Sequence, residues 1–426
     1  MKYDAIIIGS GPAGLGAAFN LIEHGSNLKV MILEKEKICS GGLLNDCKQN
    51  YTYPIGFTEE YWNEVEAERL LKIVQEHLNP VFLERKNLEK YQKRAKKVNT
   101  RLVNIKQSHV GTDKSRFLIN GLLDKLRTLG VDIKLSTEVT EDVDPIKKTI
   151  TLTDGTTAEF NKLIIAPGRK GFSYLQGVMN KLGVEYIDNR VDVGFRIETK
   201  LENYPIVKDY YDPKFYFPYK VRTFCTNSGY ALVTKEKYRN FSLVNGHALS
   251  SDRGKNGLVN FAMLKTIGLE APVRSGQQMS VYLARLANEI GGGKPLMQRV
   301  GDFRSGKRSK METFNDDLYD FKPTCQACAG DLGLAVPSKI MRDIWASMKL
   351  LDTIMPGILH PSTIMYYPEI KMYANKPVFI DKHFAVTDDV YLIGDGAGTS
   401  RGITGAWASG IRAANGVLEK LNKKQF

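Results

Sequence analysis

An α/β fold, in which a doubly wound parallel sheet is interrupted by an inserted α+β domain with an antiparallel sheet, is what this 426-residue sequence predicts. Three observations carry the prediction. Residues 3–8 form a near-continuous apolar run that meets a glycine-rich turn at 9–14 and a helical pattern at 13–24, the order expected of a parallel strand covered by helices. The same order of strand, glycine turn and helix returns at residues 390–393, 394–398 and 403–421. Between the two ends, after residue 175, the chain becomes rich in aromatic segments such as 210–219, which marks a separate antiparallel unit. The expected domains are therefore 1–174, 175–375 and 376–426, with the first and last forming one discontinuous unit.

Residues 28–33 read as the second strand of the parallel sheet. Residues 58–79 show helical spacing, with Glu59, Glu60 and Glu64 near the start, where the positive end of a helix dipole favours acids. After a basic stretch at 85–101, residues 113–129 read as an amphipathic helix with Phe117, Leu118, Leu122, Leu126 and Leu129 at core spacing. It feeds a return strand at 131–135. Two alternating segments between 149 and 166 flank Asp154-Gly155, a dipeptide suited to the positive φ angles of a tight hairpin. The second segment runs into Pro167-Gly168, a strand ending at a ligand. A helix at 340–351, followed by Met355 and Pro356-Gly357, closes the inserted domain.

Hydrophobic residues at 42% and charged ones at 25% exclude disordered and fibrous classes. The net charge of +13 raises the local concentration of anions, although solvated lysine-rich faces explain it more cheaply. Five cysteines in a chain of this length argue against a disulfide framework and for a reducing, cytoplasmic compartment. Asp4 and Gly9 interrupt what would have to be a signal sequence, and no later run of about 18 apolar residues follows, so no membrane span is expected.

The turn Gly9-Ser10-Gly11-Pro12-Ala13-Gly14 has the dinucleotide fingerprint in its demanding context, after a strand and opening a helix. Its first glycine makes the turn, its second lets a pyrophosphate approach the backbone, and its third lets the helix pack on the strand. Glu34 ends the second strand 20 residues after Gly14, where a carboxylate accepts hydrogen bonds from an adenosine ribose.

The segment around Gly394-Asp395 resembles the C-terminal flavin motif of the glutathione-reductase-like flavoprotein superfamily. The resemblance implies that Asp395 bonds the ribityl chain and that the helix starting near Gly402, Ile403 and Thr404 points its amides at the flavin pyrimidine. Such a helix start stabilises negative charge on the reduced ring. The double glycine Gly41-Gly42 resembles another segment of that superfamily, where small residues pass close to the cofactor. Flavin disulfide reductases place two cysteines four residues apart after it. Here Cys39 precedes it and Cys47 lies eight residues further on, so a dithiol relay of that kind is not expected. Together with residues 40–46, 109–113, 163–171, 221–225 and 392–408, the chain resembles poorly characterised FAD-dependent dehydrogenases of this superfamily over nearly its whole length. That resemblance implies FAD as cofactor, held by Gly9, Gly11, Pro12, Ala13, Gly14, Glu34, Lys35, Gly41, Gly42, Leu43, Val139, Ala166, Gly168, Gly394, Asp395, Gly402, Ile403 and Thr404.

Catalytic candidates are fewer. Arg401, beside the flavin helix, can bind an acidic substrate or the flavin, or can be a surface cation. His109 can contact substrate or flavin, with a satisfied structural histidine as the commoner case. Cys325 and Cys328 can form a redox dithiol or be two buried thiols. With no second close pair, a zinc site is not expected. Cys225 reads as packing. Two basic tracts, one spanning 85–101 and one holding Arg299, Arg304, Lys307, Arg308 and Lys310, admit a polyanion, but a solvated helix and a loop explain them more simply.

The sequence thus reads as an FAD enzyme passing hydride or electrons to a small-molecule substrate, an anionic one included. No second strand-linked glycine fingerprint is visible, so NAD(P)H enters only as a transient donor. The alternatives are a flavoenzyme acting on RNA, for which nucleic acid is a weak expectation, and a binding protein that keeps FAD without turnover.

Overall fold

The structure is a computed structural model that describes residues 2–38, 42–45, 47–188, 190–238, 240–250, 253–269, 275–315, 319, 321–372 and 375–422. The chain divides into two units. The first comprises residues 1–82, 105–188 and 373–426, and the second 83–104 and 189–372.

In the first unit, strands Asp132–Lys134, Val30–Leu33, Lys2–Ile8, Thr157–Ile165 and Val390–Leu392 lie parallel in that order, in register through Ile7↔Ile32 and Ile7↔Ile164. Antiparallel strands Thr149–Leu152 and Val139–Asp144 continue the sheet from Thr157–Ile165. Alternation along the central strands fills two cores. Ile7, Ile32 and Ile164 face a layer containing helices Pro12–His24 and Ile403–Asn422, while Ile6, Met31, Leu163 and Ile165 face helix Phe172–Leu182. Burying each such side chain contributes about 1.5–3 kcal/mol.

Helices Pro12–His24 and Ile403–Asn422 meet through glycines. A Cβ on Gly410 would lie 2.1 Å from the Ala13 carbonyl oxygen, and one on Gly16 2.3 Å from that of Trp407. The two helices pack backbone on backbone, which seats the C-terminal helix against the dinucleotide turn.

The second unit is built on an eight-stranded sheet in the order Cys328–Ala329, Leu296–Arg299, Ile364–Met372, Arg190–Lys200, Leu258–Gly268, Val221–Asn227, Lys214–Phe217 and Arg101–Val103. It is antiparallel except at its first pair. Strand Arg190–Lys200 alternates Val191, Val193, Phe195 and Ile197 with Asp192, Arg196 and Glu198. In a two-layer sheet the polar set would face water. Here Asp192, Arg196 and Glu198 are fully buried, because the hairpin of Tyr230–Lys237 and Ser242–Leu249 contributes groups that cover Arg196.

The Arg196 guanidinium bonds both Glu369 oxygens at 2.6 Å, the Cys225 carbonyl at 2.7 Å and Asn260 Oδ1 at 3.2 Å. Lys371 Nζ sits 3.1 Å from the same carboxylate. A Cβ on Gly246 of the hairpin would come within 2.5 Å of Arg196 Nη1, so only glycine leaves room for the pair.

Several expectations shift. The units divide at 188/189 and 372/373 rather than 174/175 and 375/376, because Leu175, Val178 and Met179 of helix Phe172–Leu182 pack on the parallel sheet. The stretch 83–104 goes with the second unit because Arg101–Val103 pairs with Lys214–Phe217. Helix Glu64–Leu78 starts later than residue 58. Asn63 Oδ1 accepts from the Glu66 amide at 2.9 Å and caps it, which leaves Glu59 and Glu60 ahead of the helix. In helix Thr112–Thr128 the buried stripe is Ser115, Ile119, Leu122, Leu123 and Leu126, while Phe117 is 78% exposed and Leu129 42% exposed. Phe117 lies about 200° round the helix from Ser115, and the sheet selects the other face.

Candidate functional site

Three turns of the first unit, after strands Lys2–Ile8, Thr157–Ile165 and Val390–Leu392, converge at the carboxyl ends of adjacent parallel strands, where ligands of open α/β sheets bind. Gly9 has φ +99°, and a Cβ there would lie 2.3 Å from the Ala166 carbonyl oxygen. A Cβ on Gly14 would lie 1.9 Å from the carbonyl oxygen of Gly9, and one on Gly396 2.5 Å from that of Gly168. Gly394 (φ +78°) closes on Ala13. The turns can stack only because hydrogen replaces a side chain at these positions.

Gly11 is the N-cap of helix Pro12–His24 and has φ −69°, which any residue can adopt. Pro12 opens the helix, where its missing N–H costs nothing. Gly168 (φ +62°) and Gly402 (φ +79°) have no atom within 4 Å of where a Cβ would stand. The cradle therefore combines glycines that turns require with glycines that border open space, as a pyrophosphate and flavin would need.

Glu34 is buried at the end of its strand. Its Oε2 accepts from the Ser10 amide and hydroxyl, each at 2.9 Å, and its Oε1 from the Glu36 amide at 3.0 Å. A carboxylate has about four acceptor positions, so one is left on Oε1 for a ribose hydroxyl. Ser10, a residue the fingerprint leaves unspecified, ties the turn to the second strand. Lys35 is exposed, whereas Leu43 and Val139 are buried. Gly42 begins the short helix Gly42–Asn45, and Gly41 and Cys39 lie outside the described residues.

Asp395 accepts from Ser400 Oγ at 3.2 Å and from the Gly402 amide at 3.1 Å, with Arg169 Nε 3.9 Å away. Burial raises its carboxyl above the ordinary carboxylate value, against the opposing pull of Arg169, the Gly402 amide and Ser400. A raised acid stabilises the fold most below the ordinary value, and that contribution is lost as pH climbs through the raised one. Hydroxyls donated by a ribityl chain favour the charged form. FAD affinity is therefore expected to weaken as pH falls through the raised Asp395 value, and Asp395→Asn is expected to flatten the profile. Titrating flavin fluorescence between pH 4.5 and 8 checks this, and parallel profiles for the two proteins would refute it.

The C-terminal helix starts at Ile403, where the sequence places it. The Gly402 amide is engaged by Asp395, and the Thr404 hydroxyl turns away to the Asn50 carbonyl at 2.6 Å. The intrahelical ladder begins with the Ala406 amide on the Gly402 carbonyl, so the amides of buried Ile403 and Thr404 precede it. Arg401 is exposed, its backbone amide held by the Gly56 carbonyl at 2.9 Å. Gly56 packs on this helix start so closely that a Cβ on Gly405 would lie 2.0 Å from the Gly56 oxygen. Trp62 Nε1 donates to the Thr399 carbonyl at 2.6 Å. Gly56, Trp62 and Arg169 escape sequence reading, although Arg169 directly follows the Pro167-Gly168 signal.

His109 is half-buried at the end of strand Gln107–His109, opposite Lys48 of strand Lys48–Asn50, the strand whose Asn50 receives Thr404. Cys325 and Cys328 belong to the second unit and are free thiols. Cys325 packs in a core with Val233, Met297 and Phe314. Burial and the nearby Glu198 push its thiol up to about 12, which leaves it neutral at physiological pH and a poor nucleophile. Among the described residues no group of three His, Cys, Asp or Glu could hold a metal ion, and no helix is long and apolar enough to cross a membrane.

Residues 3–190 match the family model described as pyridine nucleotide-disulphide oxidoreductase. A protein of Clostridium beijerinckii that carries the description uncharacterized protein is 21% identical over 470 residues, covering 99% of this chain and 82% of that one. The chain also aligns with two crystal structures. One is a flavoprotein/dehydrogenase from Cytophaga hutchinsonii, at 15% identity and TM-score 0.40, covering 99% of this chain and 79% of that one. The other is p-nitrophenol 4-monooxygenase from Pseudomonas putida, at 12% identity and TM-score 0.39, again covering 99% and 79%. The stacked glycine turns and the acid at position 34 have the form of a dinucleotide site, and they lie within the stretch that the oxidoreductase family model matches.

Proposed function

We propose that the chain transfers a hydride or an electron pair between non-covalent FAD and a small organic substrate, and that it falls within the glutathione-reductase-like superfamily. The observation that carries this reading is the convergence of Gly9, Ala166 and Asp395 on one sheet edge. The amides of Gly9 and Ser10 are taken by the Leu33 carbonyl and Glu34, so the turn offers those of Gly11, Ala13 and Gly14 to a pyrophosphate, and Glu34 keeps one acceptor position for the ribose. Asp395 orients the ribityl chain. The isoalloxazine of FAD supplies the redox chemistry when bound. The amides of Ile403 and Thr404, with the helix dipole behind them, stabilise negative charge at the pyrimidine end, and Arg401 adds a cation that suits an acidic substrate.

The proposal is tested first by the acid-released cofactor: FAD is expected, and FMN alone would defeat the reading. Anaerobic mixing with NADH or NADPH, the donors to try first, followed by reoxidation with organic acceptors, separates an enzyme from an inert FAD holder, which would show no acceptor-dependent reoxidation. An Arg401→Ala protein that retains FAD is expected to have a lowered flavin potential, since a guanidinium within a Debye length of roughly 8 Å favours the reduced, anionic ring. An unchanged potential with unchanged turnover would make Arg401 a surface cation only.

A further inference from the structure

We infer that the second unit carries a binding surface for single-stranded nucleic acid, centred on a pocket at helix Ser338–Ile354. This goes beyond the flavin chemistry and does not depend on it. The first observation is where the charge lies. The second unit holds 34 Lys and Arg against 20 Asp and Glu, and the first unit holds 26 against 27. The whole excess of the chain thus sits on the unit without the dinucleotide turn. A lysine-rich composition would raise the charge of both units alike, and a small anion needs only two or three cations. An excess confined to one unit matches a polyanion.

The second observation is a built pocket within this excess. A cavity of about 790 Å³ is lined by Phe303, Trp345, Arg304, Arg342 and Lys349. The Phe303 and Trp345 rings meet edge to face at 4.8 Å, which leaves aromatic surface on the pocket wall for a base to stack upon. Arg304, Arg342 and Lys349 are exposed, and none forms an ion pair among the described residues. The acid on the wall, Asp352, directs its Oδ1 to the amides of Gly357 and Leu359, both at 3.0 Å, and the three cations outnumber it.

The third observation joins the two basic tracts. Helix Leu88–Lys97 buries Tyr91 and Ala95 and holds the end of helix Ser338–Ile354 through Arg94 Nη1, 3.3 Å from the Ile354 carbonyl. That carbonyl is two residues from Asp352 on the pocket wall. Lys93, Lys96 and Lys97 remain in solvent on this helix, and the exposed Lys307 and Arg308 follow Arg304 in the chain. The tracts that read as unrelated solvated segments in the sequence therefore adjoin one pocket, as cations along a strand's phosphates with rings for its bases.

The test uses the intact FAD-loaded chain and a fluorescein-labelled single-stranded RNA 20-mer, followed by anisotropy between 50 and 300 mM salt. Three proteins are compared with wild type: Trp345→Ala, the triple Arg304→Gln, Arg342→Gln, Lys349→Gln, and a control triple Lys2→Gln, Lys72→Gln, Lys382→Gln in the balanced unit. All are checked for unchanged flavin content and circular dichroism. Wild type is expected to bind in a salt-dependent way. Trp345→Ala is expected to weaken binding roughly 5- to 150-fold, the range of one lost base stack. The pocket triple should weaken it more than tenfold and flatten the salt slope by about 2, as three lost phosphate contacts require, while the control triple changes it less than threefold. The inference is overturned by an absence of binding, by equal losses in both triples, or by a Trp345→Ala protein that binds as wild type. It is equally overturned by displacement of the RNA by AMP at equimolar nucleotide, which would make the pocket a small-anion site, or by capture on phosphatidylserine vesicles without RNA binding.

Discussion

A Gly11→Val chain is expected to fold and to purify colourless, with FAD affinity lowered about a hundredfold or more. Two features separate this position from its neighbours. Gly11 has φ −69°, so valine meets no backbone strain there, and the residue caps the helix through its carbonyl, which accepts from the Leu15 amide at 2.9 Å whatever the side chain. What valine would occupy is the place the fingerprint reserves for the pyrophosphate, and an overpacked contact of that kind costs up to about 3 kcal/mol. Gly9 and Gly14 differ. Gly9 stands at φ +99°, and a side chain on Gly14 would overlap the Gly9 carbonyl. Gly14→Val is therefore expected to lose the fold with the cofactor, by roughly 3 kcal/mol or more. Flavin released from equal amounts of each protein, set beside far-ultraviolet circular dichroism, distinguishes the two. A yellow Gly11→Val protein with wild-type affinity would show that the turn does not hold the dinucleotide.

Glu369→Leu is expected to be among the most destabilising single changes in the second unit, at about 4–5 kcal/mol, and worse than Arg196→Met at about 3. A buried pair broken on one side leaves an uncompensated charge, typically at a cost of 3–5 kcal/mol. Here the two sides are not equivalent. Removing Arg196 leaves Glu369 beside Lys371 at 3.1 Å, a neutral pair that lacks some hydrogen bonds. Removing Glu369 leaves two cations, Arg196 and Lys371, both under 10% exposed, with no carboxylate between them. Thermal unfolding of the two variants and of Glu369→Gln checks the order. A smaller loss for Glu369→Leu than for Arg196→Met would mean that the number of hydrogen bonds lost, and not the charge left behind, sets the cost.

The glycine turn at 9–14 and the strands near both ends of the chain were legible in the sequence because each is local. A near-continuous apolar run, three glycines at fixed offsets and an acid 20 residues on need only neighbouring residues to act. Helix phase was less legible. Residues 112–128 are helical by pattern, but Phe117 and Ile119 compete for the core, and only the sheet behind the helix selects Ile119. The spacing of Cys325 and Cys328 leaves a redox dithiol and two buried thiols both open. Cys325 becomes a packed, neutral thiol once Phe314 and Met297 surround it.

The glycine turns and the order of the elements around them follow from short-range spacing, and so were readable from the residues alone. Three features needed the folded chain: the burial of the polar face of Arg190–Lys200, the membership of residues 83–104 in the second unit, and the contact of Arg94 with the end of helix Ser338–Ile354. The reason is common to all three. Period and composition state which residues share a face, but what covers that face, hairpin, helix or water, depends on segments tens to hundreds of residues away in the chain.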